Sequence, residues 1–325
     1  MVGPSIADPR TSLRRAGDQT AYAALRGLWL LLRAAGLQGA RGALEAVGAV
    51  FSHLDRRHRQ VVEDNLAIAF PTMDAVVRGS VIAGSFRNWG RLGAEIVHCD
   101  EIIKRAALDS EWRAVAAAVA EGLAEGHGLL LLTAHTGNFE MLARIFGSVV
   151  APVAVFHRPL GIAEIDAFLV RERHRCGVTT LGRGASVRDA MRILAAGGCV
   201  AAPLDQNQRE GRGIFVDVLG HPACTSTLLA RLSLASGAPV LPVFSIWIGD
   251  RTSPVIGEVV HPPSPRPSPA ERDPALRRLT LRYSREIDRV VKRFPHQWNW
   301  AHRRWKTRPG AGEGANPSAD RTPGS

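Results

Sequence analysis

Apolar residues recur three and four positions apart from residue 21 to about 110, which is a helical period, and the texture changes after that. Between 129 and 244, short apolar runs (129–133, 152–156, 199–204 and 239–244) alternate with helical stretches near 138–147, 163–175, 186–196 and 225–236. Strands of roughly four to eight residues separated by helices of about ten or more imply βαβ units. The pattern predicts an α/β fold with a largely parallel or mixed sheet flanked by helices. Residues 1–20 are polar and carry no periodic signal, so they read as a disordered N-terminus. A helical segment, 21–110, then leads into an α/β domain over 111–306. Inside that domain the run PPSPRPSP at 262–269 forms neither helix nor strand and reads as an extended linker, followed by a charged helix near 270–293. The tail, 307–325, has almost nothing to bury and is expected to be disordered.

No stretch reaches the roughly 18–20 unbroken apolar residues that a membrane span needs. The nearest is 21–37, which Arg26 and Arg33 interrupt. On a helix these arginines share one face, while Leu25, Leu28, Trp29 and Leu32 fall on a neighbouring apolar stripe. Two readings stand: an amphipathic helix in a membrane interface with Trp29 at headgroup depth, or a surface helix packing on its own core. A tilted single-pass anchor is a third.

Composition narrows the class. Hydrophobic residues make up 46% and charged residues 22%, which excludes wholesale disorder or a fibrous repeat. Lys and Arg number 41 against 30 Asp and Glu, a net +11 that calls for an anionic partner such as a phospholipid surface, a phosphorylated sugar, nucleic acid or an acidic protein. The four cysteines are scattered without C-x-x-C pairing, which argues against a zinc site or a disulfide framework.

The candidate chemistry sits where the run 129–133 ends, at Ala134-His135-Thr136-Gly137-Asn138-Phe139-Glu140. On one continuous helix, residues five apart point about 140° away from each other. With the histidine at a strand's C-terminal end and the glutamate in the first helical turn, the two converge across the turn. Open α/β sheets place their ligands at that rim. Gly137 relieves the turn, Asn138 or Thr136 caps the helix, and the free N–H groups there face developing negative charge. A histidine partnered by a carboxylate is a general base able to deprotonate an alcohol. No serine or cysteine lies within two residues to serve as a nucleophile, which favours direct attack by a substrate hydroxyl. The spacing is not H-E-x-x-H and no second histidine stands at ligand spacing, so neither a metal nor a cofactor is expected.

The H-T-G-N-F-E block resembles the H-x4-D/E motif of the lipid A biosynthesis lauroyl/myristoyl acyltransferases, within the lysophospholipid acyltransferase-like superfamily that includes phosphatidylinositol mannoside acyltransferases. The likeness continues in order. Asn65-Leu66 with Phe70-Pro71 is similar to the family's N-L-x-x-A-F-P segment, and Phe156-His157-Arg158-Pro159 to its Y-R-P block. Leu204-Asp205-Gln206-Asn207, then Gly213 to Val216 and Gly220 to Pro222, resemble its D-Q…G-[VI]-F-V-x-F-x-G-x-P region. Thr225 with the segments 229–232 and 237–242 follows, and then Gln297, Trp298, Trp300, Arg303, Arg304, Trp305 and Lys306. Departures are His157 in place of the usual tyrosine, Asp217 and Val218 after Phe-Val, and Gln206 where the mannoside enzymes tend to carry arginine.

The resemblance implies a glycerolphosphate-acyltransferase-like fold preceded by N-terminal membrane-facing helices. It implies transfer of a fatty acyl chain from acyl carrier protein or acyl-CoA to a hydroxyl of a glycolipid acceptor, a lipid A precursor first and a mannoside or other glycolipid as the alternative. The expected location is the cytoplasmic face of a bacterial inner membrane. His135 and Glu140 become the catalytic pair, with Arg158, Asn138, Gly137 and Asp205 as substrate-binding candidates. Arg158 would meet a phosphate or an oxyanion, or else form a structural salt bridge. Asp205 either orients a loop, reaches the site, or caps a turn. Thr225 reads as a helix N-cap, and Trp298, Trp300 and Trp305 read as core residues or as a membrane-docking belt among cations. A basic anionic-lipid-binding protein without catalysis would explain the charge but not the His–Glu turn, and no nucleic-acid signature is visible.

Overall fold

A computed structural model of the chain describes residues 9–157, 162–182 and 186–310. Six helices come first: α1 (Pro9–Ala34), α2 (Gly36–Leu54), α3 (Arg56–Ala69), α4 (Ala75–Val97), α5 (Cys99–Leu108) and α6 (Ser110–Ala124). Residues 9–20, without periodicity in the sequence, belong to α1. Aspartates set several boundaries: Asp55 accepts the His58 N–H at 3.0 Å to start α3, and Asp74 and Asp109 cap α4 and α6 in the same way. No helix among the described residues is long and apolar enough to cross a membrane. Trp29 packs edge-on against Phe168, ring centroids 5.0 Å apart, while Leu28, Leu30 and Leu31 beside it stay exposed.

The α/β part alternates β1 (Leu129–Thr133), α7 (Phe139–Ile145, running on into a π turn, Phe146–Val150), β2 (Val153–Phe156), α8 (Ala163–His174), β3 (Val178–Leu181), α9 (Ser186–Ala195) and β4 (Cys199–Pro203). A hairpin of β5 (Ile214–Val218) and β6 (His221–Thr225) follows, then α10 (Leu228–Ser236), β7 (Val240–Ile248), β8 (Arg251–Ile256) and α11 (Arg272–Arg293). The main sheet runs β3-β2-β4-β1-β7-β8, parallel throughout except for the antiparallel β7–β8 pair. The fold is thus mixed α/β with a mainly parallel sheet.

Period-two alternation sorts the strands' side chains onto two cores. Leu130, Leu132, Ala154, Val200 and Ala202 pack under α9, α10 and α11. Leu129, Leu131, Val153, Cys199 and Val243 face α5, α6 and α7. Strands buried on both faces read as unbroken apolar runs, and these are the four runs visible in sequence. The strands missing from that pattern are of another kind. β3 (VTTL) and β8 (RTSPVI) are sheet edges, where polar residues and Pro254 are tolerated, and β5–β6 form a separate two-stranded sheet.

A buried carboxylate fastens the helical segment to the sheet. Glu95 on α4 accepts Arg41 Nη2 at 2.7 Å, Arg91 Nε at 3.0 Å, Trp247 Nε1 at 2.9 Å and the Asn138 side-chain amide. Those partners come from α2, α4, β7 and the β1–α7 turn. Removing the carboxylate would leave the buried Arg41 guanidinium without its buried counter-charge, which costs about 3–5 kcal/mol.

Candidate active site

The turn after β1 is held by the segment beyond α11. Gly137 donates its N–H to Gln297 O at 2.8 Å, and Asn299 donates to His135 O at 2.9 Å. Gly137 has φ +51, and a Cβ there would lie 2.1 Å from Ser245 O, so the turn demands glycine on two grounds. Asn138 caps α7 by accepting the Met141 N–H at 2.9 Å, while its amide faces Glu95. Both side-chain atoms are spent on the scaffold, and the residue is buried.

His135 is clamped from one side. Its backbone N–H donates to Asp205 Oδ2 at 2.8 Å and its Nδ1 to Asp205 Oδ1 at 2.8 Å. The register explains why: Thr133 of β1 lies opposite Pro203 of β4, so residues 135 and 205, two steps beyond each strand, meet across the same rim. A third donor, Trp298 Nε1, reaches Asp205 Oδ2 at 2.9 Å. Burial pushes the Asp205 carboxyl up, but the His135 charge and these hydrogen bonds outweigh it and hold the pKa down to about 2. Burial likewise pulls the His135 imidazolium down, and the Asp205 charge and hydrogen bond more than reverse it, leaving the pKa above the ordinary histidine value. With Nδ1–H given to Asp205, Nε2 is the nitrogen that carries the lone pair. It lies 3.4 Å from the Gln206 amide nitrogen, and the side chain remains 18% exposed. The Phe139 ring packs edge-on against it at 4.8 Å.

Glu140 does not make the expected pair with His135. It stands in the first turn of α7, where Arg144 one turn later reaches Oε1 at 3.2 Å through both Nε and Nη2. Arg173 from α8 takes both oxygens, Nε to Oε1 at 2.9 Å and Nη2 to Oε2 at 2.7 Å. Burial raises the Glu140 carboxyl, and the two guanidinium groups override it and lower the pKa below the usual glutamate value. Arg173 also donates to His157 Nδ1 at 2.9 Å; burial and that cation both depress the His157 pKa.

His135 and Glu140 nevertheless line one cavity of about 670 Å³. Its floor is alternate residues of four strands, Leu131, Val153, Val155, Ala201 and Val243, and its roof is Leu142, Ala143 and Phe146. His135, Gln206 and His302 form one polar rim, with Glu140, Arg173 and His157 forming another. The size suits one small-molecule or single-chain ligand. Among the described residues no group of His, Cys, Asp or Glu is arranged to hold a metal ion. The described geometry therefore brings His135 and Asp205 together, sets Glu140 on the same cavity in a separate ion cluster, and uses Gly137 and Asn138 to build the turn. Arg158 lies outside the described residues.

The chain matches the bacterial lipid A biosynthesis acyltransferase family over residues 10–307. It belongs to that family. Among relatives, the chain is 24% identical over 272 residues to a lipid A biosynthesis palmitoleoyltransferase of Escherichia coli K12, covering 81% of this chain and 83% of the relative. A lipid A biosynthesis lauroyltransferase of the same organism is 25% identical over 261 residues, with 78% and 81% covered. A Shigella flexneri lipid A biosynthesis acyltransferase is 24% identical over 272 residues. The protein is an acyltransferase, which sets aside the reading as a non-catalytic lipid-binding protein.

In this acyltransferase the tryptophans take the core reading, and Thr225 departs from its own. Trp298, Trp300 and Trp305 are buried and packed edge to face, with Trp298 and Trp300 at 4.6 Å, so they are core rather than a membrane-docking belt. Thr225 ends β6 instead of capping a helix, donating to Ala223 O at 2.9 Å and accepting from Arg304. Asn65 clamps the C-terminal segment, its amide donating to Trp300 O at 2.7 Å and His302 O at 2.8 Å. Sequence reasoning missed Trp298, Arg144 and Arg173 as neighbours of the candidate pair. The i, i+4 spacing of Glu140 and Arg144 was the one local signal available.

Proposed function

We propose that this acyltransferase moves a fatty acyl group from a thioester donor, acyl carrier protein or acyl-CoA, to a hydroxyl of a lipid A precursor, with His135 as general base. The observation that carries the reading is the two-point grip of Asp205 on His135 at the mouth of an apolar cavity. That grip fixes the Nδ1–H tautomer and turns a basic Nε2 toward the cavity. The acceptor hydroxyl gives its proton to Nε2 as its oxygen attacks the thioester carbonyl carbon. Collapse of the tetrahedral adduct breaks the carbon–sulfur bond, and the imidazolium returns the proton to the leaving thiolate. Asp205 stabilises the imidazolium in between, and the donor's acyl chain lies along the strand floor.

Glu140 enters this proposal through its arginines. It locks Arg173 at the cavity wall, where a fixed cation meets an oxyanion or a substrate phosphate without reorganising. Arg158 is assigned the same chemistry from the family resemblance. Gly137 and Asn138 act as positioning residues. The net +11 suits an acidic carrier, a phosphorylated acceptor and an anionic bilayer, and supports action at the cytoplasmic face of the inner membrane.

The test is His135→Ala in purified enzyme supplied with acyl carrier protein or CoA donor and a lipid A precursor, reading acyl incorporation by mass spectrometry. Loss of about 10²–10⁴-fold is expected. Turnover within a few-fold of wild type would overturn the assignment.

A further inference from the structure

A second apolar groove ends beside the residues that neighbour the same histidine. A groove of about 550 Å³ runs between α2 and α4, walled by Leu44, Val47, Phe51, Phe86 and Trp89. Its inner end is Asn299, Ala301 and His302. Asn299 donates its N–H to His135 O at 2.9 Å, and His302 also lines the sheet cavity. Trp89 touches Phe139, which in turn touches His135, both edge-on. The groove thus ends one side chain away from the reacting centre.

Its outer lip is unusual for a water-facing helix. Val47, Val50, Phe51 and Leu54 follow the i, i+3, i+4, i+7 pattern of a buried helical face, yet they are between 48% and 69% exposed, and Trp89 across the groove is 45% exposed. Arg56 and Arg57, which follow Leu54 and Asp55 in the chain, and Arg87, between the groove residues Phe86 and Trp89, are exposed. The acid lining the mouth, Asp55, is already engaged by His58, Nδ1 to Oδ2 at 2.6 Å. The helices are fixed at backbone contact: a Cβ at Gly48 would lie 2.4 Å from Phe86 O, and one at Gly90 would lie 2.0 Å from Leu44 O. The groove is therefore built into the crossing of α2 and α4.

We propose that the α2–α4 groove receives a hydrocarbon chain already carried by the acceptor lipid, drawn in from a bilayer on which the exposed α2 stripe rests, while the donor chain occupies the sheet cavity. The assignment rests on the acyl-transfer reading and deepens it. An acyl transfer between two lipids needs two greasy approaches to one base; here His135 lines one cavity, and the other ends at Asn299 and His302 beside it. The exposed arginines match a phosphorylated headgroup left at the surface.

Photolabelling tests this on the full wild-type chain. The acceptor probe is a phosphorylated glucosamine-disaccharide lipid with a diazirine on a resident acyl chain, in phosphatidylethanolamine–phosphatidylglycerol vesicles; the donor probe is a diazirine-bearing acyl-CoA. Expected are acceptor adducts within 44–51 and 86–90, and donor adducts within 139–146 and 153–156. Acceptor adducts confined to the sheet cavity, donor adducts in the α2–α4 groove, or cross-links joining two copies of the chain would each overturn the assignment. Val47→Trp, which fills the groove, should lower the kcat/KM ratio of chain-bearing to chain-free acceptor by about tenfold, and an unchanged ratio would contradict it. If His135→Ala turns over normally, the acyl-transfer reading itself fails. If that variant is dead but the labels fall elsewhere, only the groove assignment fails.

Discussion

Asp205→Asn is the substitution that separates a held base from a merely nearby one. Asp205 accepts three hydrogen bonds, from the His135 N–H, His135 Nδ1 and Trp298 Nε1. An asparagine of the same shape can keep its oxygen on the His135 N–H and Trp298 side. Its NH2 then stands where Oδ1 stood and donates to His135 Nδ1. That forces the proton to Nε2, the nitrogen that has to be free. The tautomer error is expected to lower kcat by about 10²–10⁴-fold, a barrier increase of about 3–5 kcal/mol. The pH profile adds a second readout. A base works only when neutral, so wild-type kcat/KM should fall with acid through a pKa above the ordinary histidine value, since Asp205 raises that of His135. Without the carboxylate, only burial remains to act on His135, and the residual activity should keep its rate to lower pH.

Stability moves as well, and its sign follows from the same pair. Asp205 ionises at about 2 instead of 3.8. This corresponds to roughly 2–3 kcal/mol, present above the unfolded carboxylate pKa and lost as pH falls through the lower value. The raised His135 pKa is the other side of the same interaction, counted once: that contribution is full below the unfolded histidine pKa and fades as pH rises through the folded one. Steady-state kinetics from pH 5 to 9 with urea denaturation at pH 6 provide the measurement. If Asp205→Asn keeps kcat within threefold and leaves the acid limb in place, the reasoning about the tautomer is wrong.

Trp298→Phe keeps the ring in the core but removes one donor to Asp205. The Asp205 pKa should rise and stability should drop by about 1.5–3 kcal/mol in denaturant melts, with kcat reduced but well above that of Asp205→Asn. Gly137→Ala forces a Cβ against Ser245 O at a positive φ. It should cost about 2–4 kcal/mol by urea denaturation and misplace His135, so that the surviving folded fraction has lowered kcat.

His135 was legible because an unbroken apolar run ends just before it, and buried parallel strands announce themselves that way. Asp205 was visible as an aspartate just past another such run, but its partner was not. Pairing 135 with 205 depends on β4 lying beside β1, and the strand order β3-β2-β4-β1-β7-β8 is a property of packing rather than of any local spacing. Glu140, five residues from His135, looked like the natural partner; the two arginines that claim it come from its own helix and from α8. Trp298 is a sharper case. The spacing of the tryptophans pointed to the core, and only the fold shows the Trp298 N–H aimed at a carboxylate 93 residues away. Edge strands β3 and β8 escaped notice because edges need no continuous apolar face.

The central claim, a neutral His135 with its proton on Nδ1 and a basic Nε2 facing the cavity, can be read by ¹⁵N NMR of histidine-labelled enzyme across pH. The expected spectrum assigns His135, identified by its loss in His135→Ala, as an Nδ1–H tautomer at alkaline pH that titrates above the ordinary histidine value. An Nε2–H tautomer, or a ring that stays unprotonated well below pH 6, would contradict it.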